Sequence, residues 1–144
     1  MSVDEEKLGQ ARWFAQVLAK YDKIAIAGGP KSGKTTLSNL ARDHHVVHTD
    51  DYRDSWDTAP EDAMKDLEGH DKWIIEGIQV GRCLRKGLKP DIVIWSGEPR
   101  KALSPGQKVM SKGCKTIFHD WLDRQPKNAL NLAIVPQTFI AKTA

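Results

Sequence analysis

Short unbroken apolar blocks alternate along this chain with longer stretches in which apolar residues return every three or four positions. The blocks are Ile24-Ala25-Ile26-Ala27, Val46-Val47-His48, Trp73-Ile74-Ile75, Ile92-Val93-Ile94-Trp95 behind Asp91, and Leu132-Ala133-Ile134-Val135. Each is bounded by glycine, proline or polar residues and predicts a strand buried on both faces. The first long stretch, residues 2–20, predicts an amphipathic helix. Ser2 and Glu5 supply an S-x-x-E capping box, and Leu8, Ala11, Phe14, Ala15 and Leu18 share a stripe. A second helix is expected from about Gly33, with Leu37, Leu40 and Ala41 inward. Others are expected from Pro60 to Glu68, from Val80 to Lys86 with a stop at Gly87, and from Ser104-Pro105 onward. The last carries Val109, Met110, Ile117, Phe118, Trp121 and Leu122 as its apolar face.

Strands that alternate with helices, without repeats or a linker, predict an α/β fold. The expected form is a parallel sheet of about five strands flanked by helices on both faces. A chain of 144 residues is one domain, with 1–20 an N-terminal helix and 23–135 the α/β core. In such sheets ligands bind at the C-terminal ends of the strands. Four polar clusters fall there: the loop from Gly28, the pair Asp50-Asp51, Glu76, and the segment from Ser96 to Arg100. Asp91 starts its strand and belongs to the opposite edge.

Composition narrows the class. Apolar residues make up 40% and charged residues 28%, as in soluble globular proteins. No apolar run approaches the roughly 20 residues needed to cross a bilayer. Met1 to Glu6 is acidic with no secretory core behind it, so a cytoplasmic location without membrane contact is expected. Cys83 and Cys114 form no CxxC pair and read as reduced thiols, and the five histidines have no zinc-ligand spacing.

The first polar cluster carries the sharpest chemistry. Gly28-Gly29-Pro30-Lys31-Ser32-Gly33-Lys34-Thr35 matches G-x-x-x-x-G-K-[ST] at every position, between a predicted strand and a predicted helix. Glycines let successive backbone N–H groups turn inward on a phosphate chain. Lys34 can reach the β- and γ-phosphates, Thr35 can place its hydroxyl on Mg²⁺, and Thr36 lies next to it. ATP or another nucleoside triphosphate with Mg²⁺ is therefore the expected cofactor pair.

Phosphoryl transfer also needs a group that orients the attacking hydroxyl, a metal ligand and positive charge. Asp50 and Asp51 follow the second strand, which is expected to neighbour the strand of the glycine loop. One can accept the hydroxyl proton while the other holds Mg²⁺ through water; Asp50, the first acidic residue clear of the strand, is slightly favoured. Glu76 can hold Mg²⁺ through water or bind the acceptor. Arg82 and Arg85, three apart on one helix, can clamp a phosphate, and Arg100 and Lys101 offer the same after the fourth strand. Tyr52, Trp56 and Trp95 are stacking surfaces, Trp95 the one expected in the core.

Gly28–Thr35, Asp50-Asp51 and Glu76-Gly77 together resemble the small P-loop kinases of nucleosides, nucleotides and other small hydroxyl compounds. The resemblance spans roughly residues 23–100. It implies a P-loop NTPase-like fold and a catalytic base at Asp50 or Asp51. The run from Trp73 to about Leu122 is similar to small kinases of bacteriophage type. Some of these phosphorylate the hydroxymethyl group of 5-hydroxymethyluracil in phage DNA, which implies a nucleotide-like acceptor and a host-cytoplasmic setting.

Charge bears on the acceptor. Residues 50–71 hold nine acids against two bases, and residues 82–115 nine bases against two acids. The basic stretch leaves little room for a lid domain, so an open site that admits a polymer such as DNA is expected. A kinase of free nucleosides or monophosphates, and an NTP-hydrolysing switch with no acceptor, remain as alternatives.

Overall fold

The computed structural model describes residues 3–126 and 131–135, and all their side chains except those of 3–7 and 53–55. In chain order the elements are α1 (Val3–Lys20), β1 (Lys23–Ala27), α2 (Lys34–Ser38), β2 (His45–His48), a 3-10 turn (Thr49–Ser55), α3 (Ala59–Asp66), β3 (Trp73–Gly77), α4 (Val80–Arg85), β4 (Ile92–Trp95), α5 (Pro105–Asp123) and β5 (Leu132–Ile134). The five strands form one all-parallel sheet in the order β2-β3-β1-β4-β5. Because every strand runs the same way, the C-terminal ends of β1 to β4 deliver the glycine loop, Thr49, Glu76 and Ser96 to one edge. The Asp91 carboxylate, at the other edge, accepts the Lys23 N–H at 3.0 Å.

Alternation along the strands sorts the core into two layers. Ile24, Ile26, Ile74, Ile92 and Ile94 face Phe14 and Val17 of α1 and Leu37 of α2. Ala25, Ala27, Ile75 and Val93 face α3, α4 and α5 through Ala63, Val80, Cys83, Leu84, Phe118 and Trp121. The sheet is therefore covered by helices on both faces. Burial of each large side chain contributes about 1.5–3 kcal/mol. Trp95 stacks on Phe118 with ring centroids 4.6 Å apart and packs, partly buried, against this layer.

The structure departs from the sequence pattern at four places. First, β3 lies between β1 and β2, so Glu76, not Asp50-Asp51, ends the strand beside the glycine loop. Second, α1 buries Phe14 and Val17, while Leu8 is 51% exposed and Ala15 is exposed too. Phe14 and Val17, three apart, share the face toward the sheet, and Leu8, six residues before Phe14, lies about a third of a turn round the helix from it. Ser2 lies outside the described residues. Third, α2 ends after five residues. The Ser38 hydroxyl donates to the Thr35 carbonyl at 3.0 Å, competing with the helix ladder, and the N–H groups of Leu40 and Ala41 bond three residues back. Leu40 is left exposed. Fourth, Val109 and Met110 are exposed, Val109 to 74%. Val109 lies nine residues before the buried Phe118, on the opposite side of α5, while Ser111 packs over Gly29. Among the described residues no helix is long and apolar enough to cross a membrane.

Candidate functional site

The loop from Gly28 to Thr35 is folded on itself and locked to the end of β4. A Cβ on Gly28 would lie 1.9 Å from the Ser96 hydroxyl, so only glycine lets β4 approach. That closeness allows a 2.5 Å hydrogen bond between the buried hydroxyls of Ser32 and Ser96, while Ser32 Oγ also donates to the Gly29 carbonyl at 2.8 Å. Gly33 has φ +91°, a left-handed conformation that favours glycine. Lys31 takes φ +58°, and its ammonium donates to the Ala102 carbonyl at 3.1 Å. Pro30 is partly buried, and Thr36 is exposed on α2.

Lys34 is 6% exposed. Its ammonium donates to the Gly29 carbonyl and, at 3.3 Å, to Ser32 Oγ. Burial pushes its pKa below the ordinary 10.5, against the pull of Glu76 and Asp50. A desolvated cation held by a carbonyl and a hydroxyl is suited to an incoming anion, because a phosphate oxygen offers a charge that neither partner has. The residues present thus fit a triphosphate.

At the mouth of the loop Thr35 Oγ1 donates to Glu76 Oε1 at 3.2 Å. Glu76, 2% exposed, is bonded through the same oxygen to His48 Nδ1 at 2.6 Å. Parallel register explains the pair, since His48 of β2 lies opposite Glu76 of β3. Thr35 and Glu76 are the two protein groups that would hold Mg²⁺, with phosphate oxygens and water completing a hard-cation shell. His48 was not singled out from the sequence. The signal was its place at the end of an apolar block, but its partner depends on strand order.

Asp50 and Asp51 sit exposed on the 3-10 turn after β2. Their charges act in different directions: Asp50 on Lys34, Asp51 on Tyr52. Of the expected Mg²⁺ set, Thr35 and Glu76 are in contact, while Asp50 stands apart as an exposed group. Among the described residues no group of three or more His, Cys, Asp or Glu side chains is arranged as a metal site.

The acceptor-side expectations fare unevenly. Tyr52 is a brace, not an open stacking surface. Its hydroxyl donates to Asp66 Oδ2 at 2.6 Å, which pushes its own pKa up to about 12 and holds the Asp66 carboxyl below its ordinary value. Trp56 is 49% exposed and does offer a face. Arg82 and Arg85, the expected phosphate clamp, are placed differently from each other. Arg82 lies 5.8 Å over the Trp56 ring and donates to the Trp56 carbonyl at 3.2 Å and to Gln79 Oε1 at 2.9 Å. Arg85 is exposed at the end of α4, about one helical turn farther from this edge.

Segment 96–104 closes on the glycine loop. The Arg100 N–H donates to the Lys31 carbonyl at 2.8 Å, and Arg100 Nε to the Ser32 carbonyl at 3.4 Å. Cys114 of α5 acts electrostatically on Lys34, its thiol donates to the Ile78 carbonyl at 3.6 Å, and burial raises its pKa. Gly77, with φ +135°, lets Thr49 come close; a Cβ there would lie 1.8 Å from Thr49 Oγ1. Thr49 and Gln79, both buried, were not foreseen. A separate open depression of about 480 Å³, lined by residues 43–45 and 69–72, lies at the other end of the sheet, where β2 and β3 begin. Comparison with family models, curated proteins and solved structures found no match to this chain.

Proposed function

We propose that this chain is an ATP- and Mg²⁺-dependent kinase of the P-loop class, which transfers the γ-phosphoryl group to a hydroxyl of a nucleotide-like acceptor. The observation that carries the reading is Lys34, a buried ammonium held inside a glycine loop beside the Thr35–Glu76 contact. Lys34 and the loop N–H groups would hold the phosphates, and Arg100 would add charge from the β4 side. Magnesium bound at Thr35 and Glu76 would offset the charge on the transferred group. His48 keeps the Glu76 carboxylate in place through the 2.6 Å bond. Asp50 is assigned as the group that accepts the proton of the attacking hydroxyl.

The acceptor proposed is a hydroxymethyl pyrimidine in DNA. Segment 96–104 is short and adds no lid domain to the site. Lys108 and Lys112 are exposed on α5 to either side of Ser111, which touches the loop at Gly29. An open basic rim of this kind favours a polyanion over a free nucleoside.

The test is incubation with γ-labelled ATP and three acceptor sets: DNA with hydroxymethylated pyrimidines, free nucleosides and monophosphates, and no acceptor. Label on the modified DNA is expected. Label on free nucleosides alone would overturn the polymer acceptor, and label only as free phosphate in every set would overturn the kinase reading.

A further inference from the structure

Of the five tryptophans, Trp13, Trp73, Trp95 and Trp121 pack in or against the two core layers. Trp56 joins neither layer and is 49% exposed. A ring of this size left to water forgoes much of the burial free energy that a tryptophan can contribute. It is nevertheless held in place. The Arg82 guanidinium lies over the ring, 5.8 Å from its centroid, and donates to the Trp56 carbonyl at 3.2 Å and to Gln79 Oε1 at 2.9 Å. The brace fixes the ring from one side and leaves half of the residue open.

The contacts of the brace place the ring on the acceptor side. Trp56 caps the 3-10 turn that begins at Thr49 and carries Asp50. Gln79, three residues after Glu76, donates its backbone N–H to Thr49 Oγ1 at 3.4 Å. Charge separates this wall from α5. Asp50, Asp51 and Asp57 are exposed on the wall, and Lys108 and Lys112 are exposed on α5. The backbone of a polyanion is repelled by the first set and drawn to the second. What suits Trp56 is the flat, uncharged part of a nucleotide, its base. A base paired within a duplex has its faces covered by its stacked neighbours. Only an unpaired or extruded base can lay a face on a tryptophan.

We propose that Trp56, braced by Arg82, is the platform on which one unpaired base of a DNA strand stacks, so that the polymer taken is single-stranded. The proposal rests on the kinase reading above and names the form of DNA that its acceptor site takes. The phosphates lie along Lys108 and Lys112, and the acceptor base reaches Trp56 at the end of the turn that carries Asp50. Stacking needs only a π-face, so this platform selects for an unpaired base and leaves the choice among bases to other groups.

The experiment measures affinities, in matched salt, for a thymidylate oligomer, the same oligomer paired with its complement, and an abasic oligomer of equal length. Wild type, Trp56→Ala and Trp56→Phe are compared, together with their melting temperatures. The wild type should bind the thymidylate strand about tenfold more tightly than the abasic strand, as expected of one base–aromatic stack, and more tightly than the duplex. Trp56→Ala should bind thymidylate no better than the abasic strand, with its abasic affinity and its melting temperature unmoved. Trp56→Phe should keep most of the preference. A wild type that binds thymidylate and abasic strands equally, that binds no oligomer, or that takes the duplex as tightly would overturn the assignment, as would Trp56→Ala that keeps the tenfold ratio. The wild-type ratios decide the matter even if both variants fail to fold. Base-dependent binding lost in Trp56→Ala, but without label transfer from γ-labelled ATP to a hydroxymethylated strand, would remove the kinase reading and leave the platform. Label transfer without base-dependent binding would do the reverse.

Discussion

The two halves of the candidate site are built differently. The proposed donor half, Gly28 to Thr35, is one contiguous segment whose partners are mostly its own atoms and the Ser96 to Ala102 segment. The proposed acceptor half is assembled from three separate places: His48 to Trp56 from the end of β2 onward, Glu76 to Gln79 from the end of β3 onward, and Arg82 on α4. The first is closed and internally bonded. The second keeps exposed carboxylates, a half-exposed tryptophan and one unpaired amide. A triphosphate is the same in every cell, so its holder can be a rigid local device. An acceptor must enter, be discriminated and leave, which suits groups on several elements.

Substitutions can break this contrast, and the largest effect belongs to the donor half. Lys34→Met should lower phosphoryl transfer about a thousandfold or more, by analogy with loss of a transition-state donor. Its melting temperature should equal or exceed that of the wild type, because the buried charge that burial disfavours is removed. A variant that unfolds instead would mean that the ammonium is structural.

Next is Gly77→Ala, which tests the scaffold between the halves. Its Cβ would meet Thr49 Oγ1 at 1.8 Å, and its φ of +135° disfavours any side chain. A loss of about 3 kcal/mol in denaturant unfolding is expected, within the range for strain at a special backbone position. The double variant with Thr49→Ala should recover part of it.

Glu76→Gln should cost on the order of a hundredfold in kcat and raise the Mg²⁺ concentration needed for half-maximal rate. Asp50→Asn should lower kcat by a similar factor or less without moving that Mg²⁺ requirement. If both variants move it equally, the division between metal holder and base collapses.

The smallest effect is at Tyr52. Tyr52→Phe removes a partly exposed hydrogen bond to Asp66 and should cost about 1 kcal/mol after solvent screening. The sign at each end of the pH range follows from linkage. The bond holds the Asp66 carboxyl down, so its contribution is full above the ordinary value of 3.8 and fades as pH falls through the lowered one. It holds the Tyr52 hydroxyl up, so the contribution is full below 10.0 and is lost as pH rises through about 12. The stability gap between wild type and Tyr52→Phe should therefore be a plateau that narrows at both extremes.

The same contrast governs what could be read from the chain. The glycine loop was legible because its chemistry is local, and the strands were legible because buried parallel strands are continuous apolar blocks. Strand order was not. No periodicity says that β3 inserts between β1 and β2, and the His48–Glu76 and Thr35–Glu76 contacts both depend on that insertion. Val109 and Met110 extend the apolar pattern of α5, but Val109, nine residues before Phe118, falls on the opposite side of the helix from it and is exposed. Gln79 carries no motif; only its lost partner distinguishes it from any polar residue after a strand.

Every functional assignment stands on the donor half, and calorimetric titration of Mg·ATP tests it most directly. The wild type should bind with a stoichiometry of one and micromolar affinity, and Lys34→Met should weaken binding at least tenfold while remaining folded. A wild type that takes up no nucleotide, or a folded Lys34→Met that binds it equally well, would contradict the account.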